Sequence, residues 1–231
     1  MRLPVKGEWV SGGASGPGQL DKITVMPKTW KHDLDIAKYS REIEQDPSNF
    51  RAYKERGNAY CRKREFDRAV ADYSKAVELN PDYFLAYNNR GNVYMQTARY
   101  DLAIADYNRA IELKPENGMP YNNRGFAFLL MGDLEQAEAD IGISLKLNPA
   151  NIYALNSMAE ISAAKGDAAG ACRWLQLAIK KGYNNWTYIM TSPTYDAVRA
   201  DDCFVEIMRG RKPPEGTHPP QRHHSKHRPR Q

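Results

Sequence analysis

An all-α solenoid of antiparallel helix pairs is the fold class this sequence predicts. Three observations carry the prediction. Pro47, Pro81, Pro115 and Pro149 stand 34 residues apart, and a fixed period of this length marks a stacked helix–turn–helix repeat. Small residues keep the same step: Gly57, Gly91 and Gly125, with Ala159 in the fourth copy, then Ala69, Ala103, Ala137 and Ala171, then Ala76, Ala110, Ser144 and Ala178. Large residues fill the intervals, with Tyr53, Tyr87, Tyr121 and Leu155 early in each unit, then Tyr60, Tyr94 and Phe128, then Tyr73, Tyr107, Ile141 and Leu175.

Each unit therefore holds two amphipathic stretches of about 14 residues, enough for helices of roughly four turns. The small residues let paired backbones approach, and the aromatics fill the space around the contact. Proline follows the second helix because a residue without an N–H cannot extend it. One hairpin cannot bury its apolar face alone, so at least about three must stack. Such arrays present long curved surfaces, and binding is the first functional expectation.

The segments YKERGNAY…FDRAVADYSKAVELNP, YNNRGNVY…YDLAIADYNRAIELKP and YNNRGFAF…LEQAEADIGISLKLNP resemble the tetratricopeptide repeat family. Tyr53 and Arg56 occupy positions usually held by tryptophan and leucine, and the fourth copy departs further, with Ala159 for glycine, Ser162 for the aromatic and Tyr183 for the proline. The resemblance covers roughly 48–183 and implies a right-handed superhelix. The units fall at 48–81, 82–115, 116–149 and, in degenerate form, 150–183. Residues 32–47 align with the second helix of a further repeat, with Asp35 and Glu42 where alanine is usual, as suits a terminal helix with one wet face. Residues 184–209 read as a C-terminal cap with a turn at Ser192–Pro193 and two short helices, with Phe204, Val205 and Met208 covering the last repeat. Residues 1–31 read as an irregular leader, with Met26 an alternative start to Met1, and 210–231 as a disordered basic tail.

Composition narrows the function. Hydrophobic residues make up 42% of the 231 positions, and no apolar run approaches the roughly 20 residues of a membrane helix. The N-terminus lacks a secretory apolar stretch, which gives a cytoplasmic expectation. Cys61, Cys172 and Cys203 have no metal-like spacing and are expected to be reduced thiols. Residues 209–231 carry +6 against a whole-chain +5, so the remainder is near −1. That tail reads as a solubilising arm or as a contact for nucleic acid, acidic protein or anionic membrane. Its histidines lack neighbours that would fix a metal geometry. An enzyme is not expected. Gly13 to Gly18 has phosphate-loop spacing, but Gln19 and Leu20 replace the required lysine and hydroxyl residue. His32 is the one histidine before the tail, and no cofactor or metal site is expected.

By resemblance, the first helix of each unit lines a concave groove. The candidate peptide-binding residues are Arg51, Lys54, Asn58 and Arg62, then Asn88, Asn89 and Asn92, then Met119, Asn122, Asn123 and Phe126, and last Tyr153 and Asn156. The groove runs from basic, through a ladder of asparagines, to apolar. Asparagine amides offer donors and acceptors to an extended peptide, and the basic end suits a carboxylate. The bland alternative is that these amides only solvate or cap helices. Co-chaperones of this family grip a C-terminal carboxylate with lysines, asparagines and an arginine. Lys54, Asn58 and Asn89 match that clamp, whereas Met119 and Asn123 stand where lysine and arginine belong. The leading expectation is a non-enzymatic scaffold or adaptor for a peptide or partner helix. Behind it stand a binder of acidic C-terminal peptides, a nucleic-acid-associated factor acting through the tail, and self-assembly by docking of helix 32–46 into a neighbour's groove.

Overall fold

The computed structural model describes residues 29–211, with side chains from residue 31. Within them the chain is helical throughout: α1 (Thr29–Gln45), α2 (Phe50–Arg62), α3 (Phe66–Leu79), α4 (Phe84–Gln96), α5 (Tyr100–Leu113), α6 (Gly118–Met131), α7 (Leu134–Leu147), α8 (Ile152–Ala164), α9 (Ala168–Lys180), α10 (Trp186–Thr191) and α11 (Asp202–Met208), with a 3-10 turn at Pro193–Tyr195. Helices pair as α2·α3, α4·α5, α6·α7 and α8·α9, and each pair stacks on the next. The inner helices α2, α4, α6 and α8 also touch in sequence, forming one continuous face.

The prolines of the ladder sit in the turns that follow α1, α3, α5 and α7. Three of these turns are fastened by the residue before the proline, whose side chain accepts a backbone N–H two positions on: Ser48 to Asp46, Asp82 to Asn80 and Ala150 to Asn148. Asn49, Asn117 and Asn151 then cap the helices that start α2, α6 and α8.

Close approach inside each pair explains the glycines. A Cβ on Gly91 would stand 2.7 Å from Cε1 of Tyr107, and one on Gly57 would stand 2.8 Å from Cε1 of Tyr73. The tyrosine rings lie across the glycine backbone and are almost wholly buried. In the fourth pair Leu175 replaces the tyrosine, and Ala159 is accommodated there with no exposed surface.

A second recurring device joins three helices at a time. Arg56, Arg90 and Arg124 each grip an aspartate of the paired helix through two parallel bonds, to Asp72, Asp106 and Asp140, at 2.7–2.8 Å. The remaining amine of each guanidinium donates to the preceding unit, to Ser40, Ser74 and Asn108 respectively. The aspartate side chains are only 5–8% exposed. Fork-shaped pairing of this kind suits arginine and not lysine. The fourth unit has Met158 and Trp174 at the corresponding positions and lacks the pair.

The two ends differ. Among the described residues helix α1 packs chiefly on α2, and none of its described side chains is fully buried. At the other end, Tyr183, Ile189, Tyr195, Val198, Phe204 and Ile207 close over Leu155, Ala171 and Leu175 in the largest apolar cluster. Phe204 is buried as expected, whereas Val205 is 48% exposed and Ile207 takes its place. In a short helix only one face meets the core, and here it carries residues 204 and 207. Arg199 donates to the carbonyls of Ile189 and Ser192, satisfying the end of α10.

The reduced-thiol expectation is corrected for two cysteines. Cys172 on α9 and Cys203 at the start of α11 form a disulfide, with Cα atoms 6.2 Å apart. The folding-back of the cap brings them together, a contact outside the 34-residue register. Cys61 remains a thiol, and burial pushes its pKa up, which keeps it unreactive. The leader 1–28, including Met26, and the tail 212–231, including its histidines, lie outside the described residues.

Candidate functional site

The inner face of α2, α4, α6 and α8 carries the thirteen candidate residues, but they do not behave alike. At the α2 end, Lys54 is engaged by the neighbouring Glu55 carboxylate, and Arg62 lies 3.7 Å from Asp35 of α1. Arg51 stacks over its neighbour Phe50, with 4.9 Å from the guanidinium carbon to the ring centroid. Two of the three cations are therefore already paired.

The asparagines form a ladder that binds itself. Asn58 accepts from the Tyr73 hydroxyl at 2.7 Å and from Asn89 of the next unit at 3.0 Å. One step on, Asn92 accepts from Tyr107 at 2.8 Å and from Asn123 at 3.0 Å, and Asn123 also donates to buried Asn88 at 3.0 Å. Asn88 in turn donates weakly to the Met119 sulfur, and Asn122 accepts from Ser157 at 3.5 Å. Each rung links one inner helix to the next, so these amides set the spacing of the units as well as the polarity of the face. The tyrosine hydroxyls they hold are pushed far above their ordinary pKa by burial and stay protonated donors.

Toward α8 the face opens into a cavity of about 690 Å³. Met119, Asn122, Asn123 and Phe126 of α6 form one wall, and Tyr153, Asn156, Ser157 and Glu160 of α8 form another. Asn92 reaches in from α4, and Tyr183 at the end of the fourth unit closes the far side together with Asn185 and Tyr188 of the cap. Met119 and Tyr153 are 45% and 64% exposed at the rim. Tyr153 meets the Tyr183 ring edge-on, with centroids 6.2 Å apart.

This end was expected to be apolar. Glu160, which the repeat register already puts on the groove side of the fourth unit, lies within it, 1% exposed and the one charged residue among those lining the cavity. Its Oε1 accepts from the Tyr188 and Thr194 hydroxyls, each at 2.6 Å, and its Oε2 accepts from Asn156 at 2.7 Å. Burial raises its pKa to about 7 against the pull of these three donors. Asn156 is fixed from the cap as well, accepting from the Tyr195 hydroxyl at 2.9 Å. Sequence reasoning does not reach Asn185 and Tyr188, because the cap lies outside the repeat, where no register assigns a face, and it reads Tyr183 only as the residue at the helix-stopping proline position.

Sequence and structure comparisons agree with this architecture. The description "TPR repeat" matches residues 57–98, and "Tetratricopeptide repeat" matches 84–117 and again 106–139. No curated protein sequence matches the chain significantly. Among solved structures, the first TPR domain of Spaghetti bound to an HSP90 peptide is 30% identical, covering 52% of this chain and 95% of its own, with a TM-score of 0.50. A thermophilic TPR protein of Thermus thermophilus is 17% identical over 68% of this chain and 86% of its own, with a TM-score of 0.60. MamA is 23% identical over 66% and 89%, with a TM-score of 0.58. With its 34-residue units, glycine–tyrosine contacts and stacked helix pairs, the chain belongs to the tetratricopeptide repeat family.

Proposed function

We propose that the chain is a non-enzymatic interaction scaffold that holds an extended segment of a partner protein along α2, α4, α6 and α8, with its units at 48–81, 82–115, 116–149 and 150–183. The observation that carries this reading is the cavity at the α6–α8 end, walled by aromatic rings and amides and continuous with the asparagine face. Amides with spare donors and acceptors suit a peptide backbone, and the rings suit side chains. The Spaghetti domain, bound to an HSP90 peptide, supports a peptide as the class of partner. The acidic-peptide reading is weaker for this chain. Lys54 and Arg62 already face carboxylates, and Met119 and Asn123 bring no charge to the middle of the groove.

Among the described residues no helix is long and apolar enough to cross a membrane. The Cys172–Cys203 bond favours an oxidising compartment over the cytoplasm expected from the sequence. Nucleic-acid contact through the tail concerns residues outside those described.

The test is panning of a random peptide display library on the wild-type chain and on a Met119→Arg, Tyr153→Ser variant. Both positions are exposed, so the fold is kept. Clones recovered on the wild type should lose about tenfold or more in affinity for the variant, as for truncation of an aromatic anchor. Equal binding would remove the groove from the account.

A further inference from the structure

Among the described residues one carboxylate is buried without a counter-charge, and it stands on the wall of an open cavity. The contrast lies within the same chain. Asp72, Asp106 and Asp140 are buried, and each is held by an arginine through two bonds. Glu160 is more deeply buried than any of them, and no cation approaches it among the described residues. Every element packed around it offers a neutral group: Asn156 on its own helix, Tyr188 on α10, Thr194 in the 3-10 turn, and the Tyr183 and Tyr195 rings. A carboxylate has about four acceptor sites. Two donors reach Oε1 but only one reaches Oε2, which leaves room there for one more.

The repeat register makes the position specific. Asn58, Asn92 and Phe126 are the equivalents of Glu160 in the preceding units. The first two accept from Tyr73 and Tyr107. In the fourth unit the tyrosine has become Leu175, so the acid here does not serve that contact. Uncompensated burial of a charge is costly unless something pairs it. The cavity beside it, about 690 Å³, falls within the roughly 300–1,000 Å³ of small-ligand clefts. Its other walls include Phe126, Tyr153, Tyr183 and Tyr188, aromatic rings whose faces attract cations.

Resting on the peptide-binding reading above, we propose that this cavity is a socket for one cationic side chain, lysine or arginine, of an extended partner segment, with Glu160 as its counter-charge and the tyrosines as its walls. The socket gives the groove a reading direction: asparagines hold the backbone, and the cation fixes which residue stands at α8. A guest cation favours the ionised carboxylate, so binding near neutral pH expels the proton that burial retains.

The experiment screens a positional-scanning library of acetylated, amidated hexapeptides against the full chain and against Glu160→Gln. On the wild type, lysine or arginine at one position should be enriched about tenfold over glutamate and neutral residues, the scale of one charge-assisted bond. On Glu160→Gln that preference should fall to about threefold or less while hexapeptides still bind. Calorimetry of the selected hexapeptide in two buffers of different ionisation enthalpy should show proton release at pH 7 for the wild type and none for the variant. Hexapeptides bound without cationic preference would overturn the socket and leave the groove reading standing. Failure of every hexapeptide to bind would remove both. A synthetic 212–231 peptide that displaces the selected hexapeptide and binds more tightly would give the cavity to the chain's own basic tail, and so overturn a partner as its occupant.

Discussion

Replacing Arg90 by methionine removes a guanidinium that holds three helices: α4, which carries it, α5 through Asp106, and α3 through Ser74. The aspartate left behind has 8% of its side chain exposed. Breaking a buried pair from one side costs about 3–5 kcal/mol, because the remaining charge is uncompensated. Arg90 is itself 18% exposed, so some water relieves the aspartate and the lower part of the range applies, about 3 kcal/mol. With a urea m-value of about 2 kcal/mol/M, the unfolding midpoint should drop by roughly 1.5 M. Removing both charges in Arg90→Met, Asp106→Leu should recover all but about 1 kcal/mol, since a well-packed apolar pair replaces an ion pair at little net loss. Urea titrations of wild type, both single variants and the double variant, followed by circular dichroism, complete the cycle. A double variant as unstable as the sum of the singles would refute the reasoning, as would a single variant within about 0.5 kcal/mol of wild type.

Three further outcomes follow from the same contacts. Gly91→Ala puts a Cβ 2.7 Å from the Tyr107 ring and should cost about 1–3 kcal/mol by overpacking, relieved by adding Tyr107→Leu, the pairing that Ala159 and Leu175 already use. Reducing Cys172–Cys203 opens a loop with a sequence separation of 31, whose closure entropy amounts to about 3–4 kcal/mol. Amide exchange should then quicken first in α10 and α11, and unchanged exchange there would count against the disulfide as the clasp of the cap. Because the folded pKa of Glu160 is raised to about 7 from an ordinary 4.5, the native state binds more protons than the unfolded one across that window. Stability should therefore be highest below pH 4.5 as far as this group is concerned and fall as pH rises to 7, by about 3 kcal/mol in all. Glu160→Gln should flatten that part of a pH series of thermal melts, and an unchanged slope would contradict it.

The repeats were legible because each contact recurs at a fixed step. A glycine every 34 residues signals close packing before its partner ring is known. What the step does not convey is the pairing between steps. Asp72, Asp106 and Asp140 recur as regularly as the arginines, yet their meeting depends on how two antiparallel helices are set against each other 16 residues apart. The asparagine ladder was placed on the inner face from sequence. That its amides bind one another at separations of 31 and 35 residues requires the stacking geometry of successive units. The C-terminal end was least legible, for the same reason in reverse. Residues after Tyr183 have no register, so neither the disulfide nor the entry of Tyr188 into the cavity left a periodic trace. Glu160 did leave one, as a carboxylate where earlier units carry asparagine or phenylalanine.

The central claim, that a partner segment lies in the groove and reaches the α6–α8 cavity, is tested most directly by site-specific photo-crosslinking. A photoreactive phenylalanine analogue would replace Met119, Phe126 or Tyr153 on the inner face, and Leu102 or Ile143, both exposed on the outer helices α5 and α7. Incubated with a peptide recovered from the display library, the inner positions should crosslink and the outer ones should not. Crosslinks confined to Leu102 and Ile143 would contradict the account.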